Sequence, residues 1–276
     1  MSEHGHKLIL ESGRADLRYW RDLWQYRELF YFLAWRDILV RYKQTAIGIA
    51  WALLRPLLTM LVFTVVFGKL AKMPSAGVPY PLLVFSAMLP WQLFASALVE
   101  SSNSLIGNAN LISKIYFPRL IVPTSTSIVA LVDFLISALL LAALCLWYHQ
   151  FPSWRALTIP FWVLLSFGAA MGAGLWFCAL NVKYRDFRYV VPFLVQFGLY
   201  LSPVGFSSSI VPEEYRLLYS LNPMVGAIDG FRWAVFGTTA HPDWTATGLG
   251  VATTTVLLAG GLAYFRNVER QFADVI

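Results

Sequence analysis

Charge is what this sequence has least of. Only 13% of its 276 residues are Asp, Glu, Lys or Arg, about half of the ~25% usual in a soluble domain. Apolar residues make up 58% and mean hydropathy is +0.60, gathered in blocks of roughly 20 residues, the length that crosses a bilayer as helix. This excludes a soluble globular domain. It indicates an all-α integral membrane protein, because a helix satisfies its own backbone polar groups in lipid. The net charge of +6 would suggest nucleic acid in a soluble protein. Here the Lys and Arg sit mainly in short loops beside apolar spans, so orientation in the bilayer explains them and no nucleic-acid partner is expected.

Other absences narrow the function. The two cysteines, Cys145 and Cys178, fall inside apolar spans, which points to reduced, structural thiols. The first 22 residues are polar and contain no apolar stretch before a small-residue cleavage site, so the first span is expected to act as the insertion signal. A phosphate-binding loop is missing: Gly68-Lys69 is followed by Leu70 at a span end. The H-E-x-x-H, G-x-S-x-G and C-x-x-C patterns are missing too. His4, His6, His149 and His241 are scattered through the tail and loops, so no metal site is expected. Without a catalytic motif, cofactor or nucleotide site of its own, a chain that does vectorial work would draw energy from a partner or an ion gradient.

Six spans are expected: about Ala46–Leu70, Leu82–Val99, Leu120–Trp147, Leu157–Leu180, Val190–Ser202 and Ala246–Phe265. The fifth is short and is cut by Pro203 and Gly205. Cations concentrate in the N-terminal arm, after span two (Lys114, Arg119), after span four (Lys183, Arg185, Arg188) and in the tail (Arg266, Arg270). The positive-inside rule then places both termini in the cytoplasm. The organisation expected is a cytoplasmic arm over 1–45 and a single six-helix domain over 46–276.

Between Leu23 and Gln44, aromatic and charged residues alternate. Leu29, Phe32, Leu33, Leu39 and Val40 can share one helical face, with Asp37, Arg41 and Gln44 on another. This predicts an amphipathic helix in the inner interface, either a plain anchor or a functional element. Between Gly205 and Trp244, breaks alternate with apolar runs too short to span, which suits re-entrant outer helices serving as a gate or as a packed lid.

Within the spans, Asp133 is either a proton site or a group paired inside the bundle. Arg55, just before Pro56, either snorkels to the interface or faces a hydrated path and an anionic substrate. Trp91, Phe94, Trp176, Phe193, Phe197, Tyr200 and Phe206 lie in or near broken spans. Their rings would suit sugars sliding past, or plain bundle and lipid packing.

One stretch stands out against the apolar background: SSNSLIGNANLISKIYFPRLIVP, Ser101 to Pro123, a polar, Asn-rich loop and short helix. With RDILVRYKQTAIGIAWALLRPLL from Arg36, MLPWQLF from Met88, ALNVKYRDFRYVVPFLVQFGLYLSPV from Ala179 and LNPMVGAIDGFRWAVFG from Leu221, it resembles the ABC-2-type membrane subunits that export polysaccharides, O-antigen permeases most of all. Capsule and teichoic-acid permeases are relatives.

The resemblance implies a half-transporter of the bacterial inner membrane. It would act as a homodimer with two ATP-binding cassette subunits, which would carry the ATP and Mg, and would move an undecaprenyl-diphosphate-linked polysaccharide. The loop at about 101–119 would couple to the ATPase, with Asn108, Asn110, Leu111 and Lys114 toward it and Tyr116, Phe117 and Arg119 leading into span three. The region at about 205–244 would form the outer gate. Arg36, Arg41, Lys43 and Arg185 would hold the lipid diphosphate at its entry, or set topology and touch anionic lipid. Arg55 and the seven aromatics would mark the polysaccharide path. Other readings are export of a small lipid or drug, and a proton-coupled carrier or membrane enzyme built on Asp133.

Overall fold

The computed structural model describes residues 16–43, 48–75, 77–237, 243–269 and 272. Expectations that fall on His4, His6, Gln44, His241 and Arg270 lie outside the described residues. The described residues form helices, with no strand among them.

The arm contains α1 (Asp16–Gln25) and α2 (Arg27–Lys43), separated at Tyr26, where one helix from Leu23 was expected. α3 (Gly48–Phe63) continues into a π-helical stretch, Thr64–Leu70. α4 (Tyr80–Gly107) is followed by the short α5 (Ala109–Ile112) and then α6 (Ile121–Trp147). A 3-10 turn, Trp154–Thr158, leads into α7 (Ile159–Lys183). α8 (Phe187–Leu201), α9 (Glu213–Tyr219), α10 (Pro223–Phe236) and α11 (Trp244–Val268) complete the chain.

Five of these stretches are long and apolar enough to cross a membrane. The fifth expected span, α8, has only 15 residues, about 22 Å at 1.5 Å per residue and short of the ~30 Å hydrocarbon core. The second span exceeds expectation. Ser101 to Gly107 reads as loop but stays helical, because its polar groups bond to helix carbonyls. The Ser102 hydroxyl donates to the Val99 carbonyl at 2.9 Å, the Ser104 hydroxyl to Ser101 at 2.7 Å, and Asn103 to Val99 at 3.0 Å. Asn181 of α7 then donates to the Ser102 carbonyl at 3.1 Å.

α4 is the axis of the bundle: 72% of its most apolar 18-residue stretch is buried, against 17% for the Leu53–Leu70 span and 22% for the corresponding stretch of α11. It packs on α6, α7, α8 and α10. One core surrounds α4, α7 and α10; a second gathers Leu33, Leu105, Ile112, Phe117, Leu120, Phe265 and Phe272. The N-terminal helices, the 108–120 loop and the end of α11 therefore share one end of the bundle. The Trp154–Thr158 turn and α10 meet at the other, where the Arg155 guanidinium donates to the Gly237 carbonyl.

α7 and α11 approach through glycine. A Cβ at Gly261 would lie 2.4 Å from the Gly172 carbonyl oxygen, the close backbone contact that small residues permit between helices in lipid. Beyond α8 the chain breaks at Ser202–Phe206, and Arg232 of α10 repairs the break. Its side chain is 3% exposed and donates to the carbonyls of Val204 at 3.0 Å, Phe206 at 2.9 Å and Leu83 at 3.1 Å. A residue that reads as an outer-loop cation is thus a buried clasp for a broken helix end.

Two outcomes follow. Gly261→Ala should lower stability by about 1–3 kcal/mol through overpacking, while Gly248→Ala on the same helix, with open space around it, should not; thermal midpoints in detergent compare them. Arg232→Leu should leave three carbonyls unsatisfied, and hydrogen exchange over residues 202–206 should rise while that over α7 stays as in the parent.

Candidate functional site

α2 packs on α6, with Leu33 and Ala34 buried and Arg41 and Tyr42 reaching toward α4 and α6. Arg41 pairs with Glu100 of α4 at 3.1 Å and with Asp133 of α6 at 2.6 Å. The Tyr42 hydroxyl donates to the same Asp133 carboxylate. Arg36 pairs with Asp37 at 2.8 Å and donates to the Asn108 side chain at 2.8 Å. Tyr31, Phe32 and Trp35 are exposed on the outward side, where rings at headgroup depth are favoured. The reason is electrostatic: Glu100 and Asp133 are carboxylates on apolar helices, costly unless paired, and Arg41 is the cation within reach. Burial and the Asp133 bond raise the Tyr42 phenol above its usual range, so it stays a donor.

Next to these pairs lies a cavity of about 630 Å³, within the range that holds small ligands. It is lined by α2, α3, α4 and α6. Arg41, Arg55, Glu100 and Asp133 supply charge, Gln92, Ser96 and Ser137 supply hydrogen bonds, and Trp51, Pro56, Leu89, Leu93 and Phe134 supply apolar wall. Among the described residues Arg55 has no ion pair. Arg55 is exposed and lines this cavity. For Asp133 the structure supplies pairing inside the bundle.

The four cations expected at a diphosphate entry do not form one patch. Arg36 and Arg41 are turned into the bundle and paired, Lys43 is exposed at the end of α2, and Arg185 is exposed in the turn between α7 and α8. Arg41 and Arg55 are the two cations that the fold brings together.

The expected aromatic path divides in a similar way. Phe193, Phe197 and Tyr200 are exposed along α8, at 56%, 55% and 61%, and the first two rings stand 4.5 Å apart. Trp91 is buried beneath them, against Gly198, and Phe94 lies 5.4 Å from it. Phe206 is half-buried and gives its carbonyl to Arg232. Trp176 departs from the path: it stacks on Tyr264 of α11 at 4.7 Å and packs on Gly260.

In the loop after α4, Asn110, Lys114 and Tyr116 are exposed, while Leu111 is half-buried and Phe117 is buried in the second core. Asn108 is held by Arg36. Arg119 turns to the end of α11. Its backbone N–H donates to Glu269 at 2.7 Å, and its guanidinium donates to the Glu269 carbonyl. The Tyr19 hydroxyl also donates to the Glu269 carboxylate, at 3.2 Å. Burial raises the Glu269 carboxyl above its usual range, with the bonds from Arg119 and Tyr19 pulling the other way. Tyr42, Gln92, Ser96, Ser137, Arg232 and Glu269 escape a reading by motif, because each is brought to its partners from a distant segment. A charged residue inside an apolar run, as in Gly-Phe-Arg232-Trp, is the one local signal among them.

The chain is 28% identical over 262 residues to the O-antigen export system permease protein RfbA of Myxococcus xanthus, covering 94% of this chain and all of that protein. A Klebsiella pneumoniae O-antigen export permease is 26% identical over 242 residues, 87% of this chain and 92% of that protein. The polysialic acid transport protein KpsM of Escherichia coli is 25% identical over 245 residues, 85% and 91% respectively. Residues 28–236, from the interfacial helix through α10, match the ABC-2 type transporter family. This chain therefore belongs to the ABC-2 type transporter family.

Proposed function

We propose that this chain is the membrane half of an ATP-driven exporter of undecaprenyl-diphosphate-linked O-antigen in a bacterial inner membrane. The observation that carries the substrate class is the full-length similarity to O-antigen export permeases. Capsule exporters match nearly as much of the chain at lower identity, so capsule polysaccharide is the second reading. The cavity supports an amphiphilic substrate: apolar walls lie beside Arg55, which has no ion pair among the described residues, while Arg41 is already paired with Glu100 and Asp133. Arg55 suits a diphosphate oxygen, because a charge-assisted bond from a guanidinium is among the strongest polar contacts.

Two copies would assemble with two ATP-binding subunits carrying ATP and Mg. Both termini would face the cytoplasm, and so would the Asn110–Tyr116 loop, whose exposed side chains are the expected ATPase contact. A second copy would cover α3, whose apolar residues are largely exposed in the single chain; among them are Leu58, Leu61 and Val62. α3 and the end of α8 already meet, since Gly205 packs on Phe63 and Phe67. The exposed ring stripe of α8 would then line the chain's path.

Co-purification with the ATP-binding subunit tests the assignment first. Asn110→Ala with Lys114→Ala should abolish stimulation of that subunit's ATPase in the co-reconstituted complex; full stimulation would remove the loop from the coupling path. Arg55→Ala should raise the half-saturating level of lipid-linked substrate about tenfold, the worth of one charge-assisted hydrogen bond, with basal ATP hydrolysis unchanged. An unchanged half-saturating level would remove the headgroup from this cavity.

A further inference from the structure

Glu269 follows α11 directly and joins three distant parts of the chain. One carboxylate oxygen accepts from the Arg119 backbone N–H at 2.7 Å, and the other from the Tyr19 hydroxyl at 3.2 Å. The Glu269 carbonyl accepts from the Arg119 guanidinium. That guanidinium lies 5.9 Å from the centre of the Phe272 ring, which is fully buried edge-on against Phe265. Arg266 lies over the Tyr19 ring at 4.8 Å. Tyr19 and Glu269 both fall outside the stretch that matches the family, residues 28–236.

The position of these bonds matters more than their number. Arg119 stands two residues before α6, near the helix N-terminus, where a carboxylate is favoured by the helix dipole. Glu269 thus pins the α6 root of the 108–119 loop to α1 and α11. Arg36 of α2 holds the other root at Asn108. The exposed tip, Asn110 and Ser113 to Tyr116, hangs between two grips. A push on a loop held at one root bends the loop. A push on a loop held at both roots moves the helices that hold it.

We propose that Glu269 is a positioning residue for ATP coupling: its carboxylate ties the α6 root of the loop to α1 and α11, so that displacement of the loop tip travels into all three helices. This rests on the reading of the loop as the ATPase contact. The sequence of events has no covalent step; the loop tip moves, and the Arg119–Glu269–Tyr19 junction carries the motion as a unit.

Hydrogen exchange of the co-reconstituted complex in nanodiscs, with and without Mg-ATP and orthovanadate, tests it. In the parent complex, nucleotide should change exchange both in residues 109–119 and in the distant segments 19–25 and 262–268. In Glu269→Ala the loop should keep its response, while the response of the two distant segments falls about fivefold, the scale of a lost coupling contact. Glu269→Gln, which retains an acceptor oxygen, should restore most of it, a rescue that a merely bulky filler would not predict. Should Glu269→Ala fail to assemble, Tyr19→Phe, which removes one donor and keeps the ring, should weaken the response of 19–25 selectively. Distant responses equal to the parent's in these variants overturn this inference alone. A parent loop that shows no nucleotide response overturns the coupling reading and this inference with it.

Discussion

One cation from outside the bundle bridges two carboxylates within it, and much of the arrangement at this end follows. Glu100 and Asp133 lie on long apolar helices, where an unpaired carboxylate would cost several kcal/mol. Arg41 reaches both, at 3.1 and 2.6 Å. Arg41 and Tyr42 lie on the side of α2 that also buries Leu33 and Ala34, while Tyr31, Phe32 and Trp35 are exposed. The same contact sets the wall of the cavity and leaves Arg55 as the cation within it that has no ion pair among the described residues. Orientation of the interfacial helix, shape of the cavity and placement of charge are three consequences of one electrostatic requirement.

The same logic operates wherever the backbone breaks. Lipid offers no hydrogen bonds, so a chain interrupted at membrane depth must be satisfied by protein. At the end of α8 the freed carbonyls of Val204 and Phe206 are met by Arg232, brought from α10. At the start of α6 the freed N–H of Arg119 is met by Glu269, brought from the end of α11. A cation serves free carbonyls and an anion serves a free amide, as the polarity of the backbone demands.

Much was legible in the sequence. Low charge and long apolar runs gave the all-helical membrane class, and the ends of α6, α7 and α11 fall within a few residues of the apolar limits, because hydrophobic length and helix length are the same constraint in a bilayer. The α8 break could be read from Pro203 and Gly205. The exposed rings of Phe193, Phe197 and Tyr200 could be read as a stripe from their helical spacing. Ser101 to Gly107 was misleading, since composition says loop while hydroxyls that bond to helix carbonyls keep it helical. Trp176 was misleading as well, because an aromatic in a span does not reveal which neighbour it stacks on.

By itself, then, the sequence determined what each segment is: which stretches enter the membrane, where they break, and that no nucleotide-binding loop is present to power them. These are local properties, set by side-chain transfer energies and backbone chemistry over a few turns. Only the tertiary structure decided which way α2 faces, which cations stay together, and which residues hold the roots of the 108–119 loop. Such choices depend on pairs far apart in the chain, such as Arg41 with Asp133, Arg232 with Val204 and Glu269 with Arg119. A buried charge states that it needs a partner, but only packing decides which one it finds.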